Sequence, residues 1–275
     1  MKKPVVALMY DFDKTLCTKD MQEYGFIPEI GMKSSEFWKE VSDLTDKEEM
    51  DNILAYMYMM VEKAKEKKIV ISRKVFNDLG KGIDFFPGVK DWFERINKFG
   101  EENGVRIEHY IVSSGIKEII EGTEIKDYFK KIYACEFMYD YTGTIVWPKF
   151  AVNYTAKTQF LFRINKGVLK VDTNSSNALN DFTREEERRI PFKNMIYIGD
   201  GLTDVPCMKL VKVNGGQSIA VYNPDKGKGA AESLLKNNRV NFLVPADYSK
   251  DSEMDQVVKS IIKKIQAVSE MESYK

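Results

Sequence analysis

The sequence predicts an α/β fold, a doubly wound and mostly parallel sheet with an α-helical insertion early in the chain and a small β-hairpin flap near its middle. Three observations carry this. Short apolar runs rich in β-branched residues alternate with helical patterns. Each run ends in polar or glycine-rich sequence. The alternation is suspended between about 17 and 85, where no strong strand pattern occurs. With 275 residues, 43% hydrophobic and 31% charged, the chain can bury a core plus an insertion and is too apolar to be disordered.

In chain order, "VVALMY" at 5–10 is the first strand. The preceding "MKK" gives it a superficial likeness to a leader peptide, but the apolar stretch is short, lacks a small-residue cleavage site and runs straight into "DFDK". Within the insertion, "TDKEEMDNILAYMYMMVEKAKEKK" reads as one amphipathic helix. Thr45 and Glu48 form its capping box, and Met50, Ile53, Leu54, Met57, Val61 and Ala64 its apolar stripe, the methionines serving as gap-filling core. After "FFPGV" at 85–89, the spacing of Val89, Trp92, Phe93, Ile96 and Phe99 predicts a helix that stops at Gly100. Further buried strands are expected at "IEHYIV" before Ser113, "KIYACEF" at 131–137, "NMIYI" before Gly199, "SIAVY" at 218–222 and "VNFLV" before Pro245. "FMYDYTGTIVWP" predicts two short strands about a Thr-Gly turn, the flap. In 167–190, "DTNSSNALNDFTREEERR" predicts a polar loop leading into a charged, solvated helix, and "MDQVVKSIIKKIQAV" a last amphipathic helix.

Composition narrows the chemistry. Lys+Arg and Asp+Glu are both 42, a formal net charge of zero, so the usual footprint of a nucleic-acid binder is missing. No apolar run reaches the ~18 residues of a membrane span. The three cysteines, Cys17, Cys135 and Cys207, are odd in number and far apart, suggesting neither a disulfide framework nor a metal pair and fitting a reducing cytoplasm. The single histidine, His109, excludes a multi-histidine zinc site and is expected to be a structural strand residue. Catalysis is left to carboxylates, lysines, hydroxyls and a hard metal.

In open α/β sheets ligands collect beyond the carboxyl ends of the strands. Those ends read "DFDKT" at 11–15, "SSG" at 113–115 and "GDGLTD" at 199–204, to which Lys157 in "TAKTQFLF" is added. Asp11, Asp13, Asp200 and Asp204 bring up to four carboxylates together, an arrangement costly without a cation, and Mg²⁺ suits oxygen ligands. "GDGLTD" taken alone reads equally as a tight turn with an N-capping aspartate. Ser113, Ser114 and Gly115 read either as an anion cradle at a helix start or as a simple helix cap. Lys157 in a helix's first turn opposes the macrodipole, so it either faces an anion or is merely solvated.

Together, in this order, "DFDKT", "SSG", Lys157 and "GDGLTD" resemble the four motifs of the haloacid dehalogenase (HAD)-like hydrolases, in particular the phosphoserine phosphatase-like branch with a helical (C1-type) cap. The resemblance implies a Rossmannoid core of residues 1–16 and 86–275 and a cap of residues 17–85. It implies a Mg²⁺-dependent phosphatase of a small soluble phosphomonoester. Asp11 would be the nucleophile that forms an aspartyl-phosphate. Asp13 would be the general acid/base and a metal ligand through its main-chain carbonyl. Ser113 and Lys157 would hold phosphoryl oxygens, with Ser114 and Gly115 lining the substrate site. Asp200 and Asp204 would serve the metal, and Thr15 would order the nucleophile loop. The dehalogenases of the superfamily lack the second acid, so Asp13 favours phosphoryl chemistry. Asp20, nine residues after the nucleophile, stands where the phosphoserine enzymes carry an amine-binding glutamate, and reads either so or as a surface residue. The only arginine between 17 and 85 is Arg73. Transfer to an acceptor other than water, and a non-catalytic phospholigand-binding protein, are the alternatives.

Overall fold

The computed structural model describes residues 3–274. Seven strands form one sheet: β1 (Val5–Tyr10), β2 (Arg106–Ile116), β3 (Phe129–Tyr139), β4 (Ile145–Phe150), β5 (Met195–Gly199), β6 (Gln217–Tyr222) and β7 (Phe242–Pro245). Their spatial order is β4-β3-β2-β1-β5-β6-β7. Neighbours are parallel except β3 and β4. The chain steps outward from β1 through β2 and β3, then returns to the other side of β1 with β5. The winding therefore reverses between β1 and β5, and the crevice beyond their carboxyl ends is where such sheets bind ligands.

Helices α1 (Phe26–Glu29), α2 (Ser34–Glu48), α3 (Asn52–Glu66) and α4 (Arg73–Gly80) fill the insertion. The remainder are α5 (Val89–Glu102), α6 (Lys117–Glu121), α7 (Ala156–Lys166), α8 (Thr173–Asn180), α9 (Val205–Val213), α10 (Gly229–Lys236) and α11 (Glu253–Glu272). Every residue of β1 is buried, which is why its sequence is continuously apolar rather than alternating. On one face of the sheet the Tyr10 hydroxyl accepts from Trp92 Nε1 of α5 at 2.9 Å and lies 3.0 Å from Nδ1 of His109. On the other, Tyr133 stacks on Phe160 of α7 with centroids 4.3 Å apart. His109 is structural as expected: its Nε2 lies 3.0 Å from Asn97, and burial pushes its pKa down to about 3. All three cysteines are free and buried.

The chain enters and leaves the insertion side by side. Cys17 bridges Phe85, the Thr18 N–H donates to Asp84 O at 3.0 Å, and the Phe86 N–H to Leu16 O at 3.0 Å. Gly88, at φ +76°, turns this exit into α5; a side chain there would meet the Ser249 backbone at 2.3 Å.

Three local expectations are corrected. The single helix capped by Thr45 and Glu48 is two helices. Thr45 lies inside α2, Glu49 adopts a left-handed conformation, and Asp51 caps α3 by accepting from the Ile53 and Leu54 N–H groups at 2.9 and 3.1 Å. The α5 helix does not stop at Gly100 but runs to Glu102, Gly100 being buried where the helix closes on Ile107. The hairpin forms as expected, β4 pairing antiparallel with the second half of the 11-residue β3, and the Ile145 N–H donates to Ile71 O at 2.9 Å, tying it to the insertion. Within 167–190 the order is inverted. The polar stretch forms α8, while Glu185–Glu187 make only a 3-10 turn and Arg189 pairs with the buried Glu108 instead of solvent.

Candidate active site

β1 delivers Asp11 to the crevice. The Asp11 N–H donates to Ile198 O at 2.9 Å, so the carboxylate is held beside the end of β5. The chain then turns sharply. The Leu16 N–H donates to Phe12 O at 2.9 Å, Lys14 takes a left-handed conformation, and the Tyr248 hydroxyl donates to Thr15 O at 2.9 Å. Thr15 thus sits in the loop it was expected to order, its own hydroxyl buried without a hydrogen-bond partner.

Beyond β5, a short 3-10 turn (Leu202–Asp204) leads into α9 and brings Asp204 back under Gly199, where a Cβ would lie 2.5 Å from its Oδ2. Asp11, Asp200 and Asp204 each offer an oxygen, and the three lie within 4.8 Å of one another. Lys157, on the first turn of α7 and fully buried, reaches this group with Nζ 3.1 Å from Asp11 Oδ1 and 2.8 Å from Asp204 Oδ1. Residues nearly 150 apart in sequence converge, and Lys157 is neither solvated nor idle. Tyr197, which the sequence reading missed, donates its hydroxyl to Asp204 Oδ1 at 2.7 Å. A tyrosine inside a continuously apolar strand reads as core, and only its position two residues before Gly199 hints at the site.

The electrostatics follow from burial. Burial and then the Asp204 charge push the Asp11 pKa up to about 6, against the opposing pull of Lys157. Asp200 is likewise held well above the carboxylate range by burial, Asp204 and Asp11. Burial alone would lower Lys157, but Asp11 and Asp204 beside it hold it above its ordinary value. Three carboxylates share one ammonium, and the only side chain paired with Asp11 Oδ1 among the described residues is Lys157, so the cluster keeps negative charge that water cannot screen. Hard oxygen donors so arranged fit a divalent cation.

Asp13 departs from the expected four-carboxylate cluster. Its Oδ1 accepts the Met21 N–H at 2.8 Å, which turns the side chain toward the insertion, and burial, Asp20 and Asp11 hold its pKa well above normal. The expected anion cradle at a helix start is also corrected, because β2 continues through Ile116 and α6 begins only at Lys117. There the Gly115 N–H donates to Ser113 Oγ at 3.0 Å and the Ile116 N–H to Met21 Sδ at 3.0 Å. The absence of a side chain at Gly115 lets the end of the Met21 side chain and Asp13 Oδ2 approach its backbone. Ser113 is fully buried, and Ser114 donates its hydroxyl to Val152 O at 2.7 Å.

A cavity of about 240 Å³ opens over the carboxylates. Asp11, Asp13, Lys14, Ser114, Asp200, Gly201 and Thr203 line it from the sheet, and Asp20, Gln22, Trp38, Asn52, Ile53 and Tyr56 from the insertion. Ser113, Gly115, Thr15 and Lys157 lie behind this wall. Asp20 is in the wall, but its carboxylate is paired with Lys14 Nζ at 2.6 Å. Arg73 is not in the wall; it lies 3.3 Å from buried Glu118.

The sheet order, the helical insertion and the acidic site define a HAD-like hydrolase fold, laid out as in phosphoserine phosphatases. A substrate-bound phosphoserine phosphatase is similar with a TM-score of 0.58 at 14% identity, over 94% of this chain and 99% of that one. A HAD family hydrolase from Salmonella enterica serovar Typhi is similar with a TM-score of 0.57 at 14% identity, over 94% and 72%. At such identities the likeness is one of fold. Sequence gives the narrower placement: the family model described as "Putative Phosphatase" matches residues 6–217, and the chain belongs to that family. A relative from Borreliella burgdorferi, described as an uncharacterized protein, is 32% identical over 92% of this chain and 95% of its own length. No helix among the described residues is long and apolar enough to cross a membrane.

Proposed function

We propose that this protein is a Mg²⁺-dependent phosphatase that hydrolyses a small phosphomonoester through an aspartyl-phosphate on Asp11. The observation that carries the proposal is the meeting of Lys157 Nζ with Asp11 and Asp204, at 3.1 and 2.8 Å, beside Asp200 at the switch point of the sheet. Asp11 and Asp200, both in the cavity wall, are the residues to hold the cation. Asp204, engaged by Lys157, Tyr197 and Gly201, supports them from behind. When bound, the cation supplies positive charge against the phosphoryl oxygens and the acidic cluster.

Asp11 attacks phosphorus with its carboxylate, splitting one difficult displacement into two. Asp13 gives its proton to the leaving oxygen, a role that suits a carboxyl kept protonated by burial and by Asp20 and Asp11. Once the alcohol has left, Asp13 as carboxylate takes the proton of the attacking water, and Asp11 is released with inorganic phosphate. Lys157 keeps Asp11 oriented and balances charge on the phosphoryl oxygens. Ser113 joins it after giving up the Gly115 N–H. Residues 17–85 act as a cap domain over a core of 1–16 and 86–275, the neck being the paired backbone at Cys17 and Phe85.

Phosphate release from a panel of phosphometabolites, with Mg²⁺ and after chelation, tests the reading. Metal-dependent release is expected, and no release from any member refutes it. Incubation with beryllofluoride and Mg²⁺ should give an adduct on Asp11.

A further inference from the structure

The roof of the cavity carries more information about substrate than the carboxylates do. Gln22 lines it while only 2% exposed, and its amide makes no hydrogen bond among the described residues; Oε1 is buried with no partner. An amide so desolvated costs free energy until a ligand group satisfies it. Trp38, in the same wall, has a buried indole N–H that also lacks a partner. The rings of Trp38 and Tyr56 meet edge to face with centroids 6.0 Å apart, adding apolar surface to the same side.

Charge on this side is already balanced. Asp20 pairs with Lys14 at 2.6 Å, so an ammonium on the leaving group would have to compete with an existing partner. A carboxylate would have to compete with Asp20 for Lys14, the cation in the wall, because Arg73 lies outside it, 3.3 Å from Glu118. What remains on the insertion side is the buried amide of Gln22, the buried N–H of Trp38, the exposed amide of Asn52 and two aromatic side chains. A hydroxyl both donates and accepts, so it can satisfy either end of the Gln22 amide as well as the indole N–H. At about 240 Å³ the cavity lies below the ~300 Å³ of ordinary ligand pockets, which limits the leaving group to a small one.

On the phosphatase reading, we infer that Gln22 and Trp38 form the leaving-group subsite, and that it selects an uncharged, hydroxylated alcohol: a small polyol or sugar phosphate. Neither residue belongs to the four motifs, and Gln22 lies two positions beyond Asp20.

The test compares glycerol phosphates and pentose and hexose phosphates with phosphoserine, phosphoethanolamine and p-nitrophenyl phosphate, for wild type, Gln22→Leu and Trp38→Phe. In wild type, kcat/KM should be highest for a hydroxylated, uncharged ester. Each substitution should lower it about tenfold for that ester relative to p-nitrophenyl phosphate, the loss of roughly one well-made hydrogen bond. Preference for phosphoserine or phosphoethanolamine overturns the subsite, and so does an equal loss on all esters in both variants. Substrate binding to Asp11→Asn with Mg²⁺, read by thermal shift, keeps the two claims apart. If wild type hydrolyses nothing but neutral hydroxylated esters still bind this variant best, the phosphatase reading fails and the subsite stands. If the charged esters bind best, the subsite fails.

Discussion

Replacing Lys157 by methionine removes the one cation buried among the acids while keeping the volume of its stem. Its Nζ lies 3.1 Å from Asp11 and 2.8 Å from Asp204, and all three side chains are no more than 8% exposed. Breaking a buried pair from one side costs about 3–5 kcal/mol, because the orphaned charge keeps its desolvation penalty. For a chain of this size each kcal/mol is worth roughly 2–4 °C in Tm, so a fall of roughly 10 °C is expected at pH 8 without divalent ions. The cost depends on pH. The Asp11 pKa already stands at about 6, and loss of Lys157 raises it further. A raised folded-state value means that native protein holds a proton the unfolded chain has lost. That stabilisation is full below about pH 4 and is lost as pH rises through the folded value. At pH 5 protonation therefore relieves the orphaned carboxylate, and the Tm loss should be roughly half that at pH 8. Thermal unfolding of both proteins at the two pH values decides the matter. A loss equal at both, or below about 3 °C at pH 8, refutes the idea that Lys157 neutralises this cluster.

Asp11→Asn should abolish turnover, whereas Asp13→Asn should still form the phosphoenzyme but hydrolyse it more slowly; rapid-quench measurement of phosphoenzyme and phosphate separates the two, and wild-type-like activity in the Asp11 variant would falsify the nucleophile assignment. Without metal, wild-type Tm should fall between pH 5 and 7.5, since the raised pKa of Asp11 at about 6 makes stability decline with its ionisation. Mg²⁺ should reverse this, adding about 2.7 kcal/mol at a hundredfold excess over Kd above pH 6 and little at pH 5, as differential scanning fluorimetry would show. Gly88→Ala, forced into φ +76° and against the Ser249 backbone at 2.3 Å, should cost about 3 kcal/mol in chemical denaturation; a loss under about 1 kcal/mol would mean that the neck relaxes freely.

Much of the fold was legible because burial on both faces leaves no room for polar side chains. Strands β1, β5 and β6 lie within one residue of their apolar runs. Errors fell where tertiary contacts choose between equivalent local options. The charge pattern from Thr45 to Glu48 suits a helix start, yet that stretch continues α2, and Asp51, which accepts two N–H groups, starts the next helix instead. At "SSG" a helix start and a strand continuation cost about the same locally. Pairing of Ile116 with Cys135 on β3 and the bond from its N–H to Met21 settle it as strand.

The four acidic positions and the lysine were singled out only by the four motifs taken together, since alone "GDGLTD" reads equally as a turn and Lys157 as a solvated side chain. Their division of labour was not legible there. That Tyr197 and Lys157 both donate to Asp204 depends on how α7 packs against the end of β5, and that Asp13 turns toward Met21 and that Gln22 and Trp38 face the same cavity depend on how the insertion lies against the sheet. Periodicity encodes which face of a segment is buried; it carries no record of which distant segment buries it, and side-chain partners across that boundary are fixed only once the chain has folded.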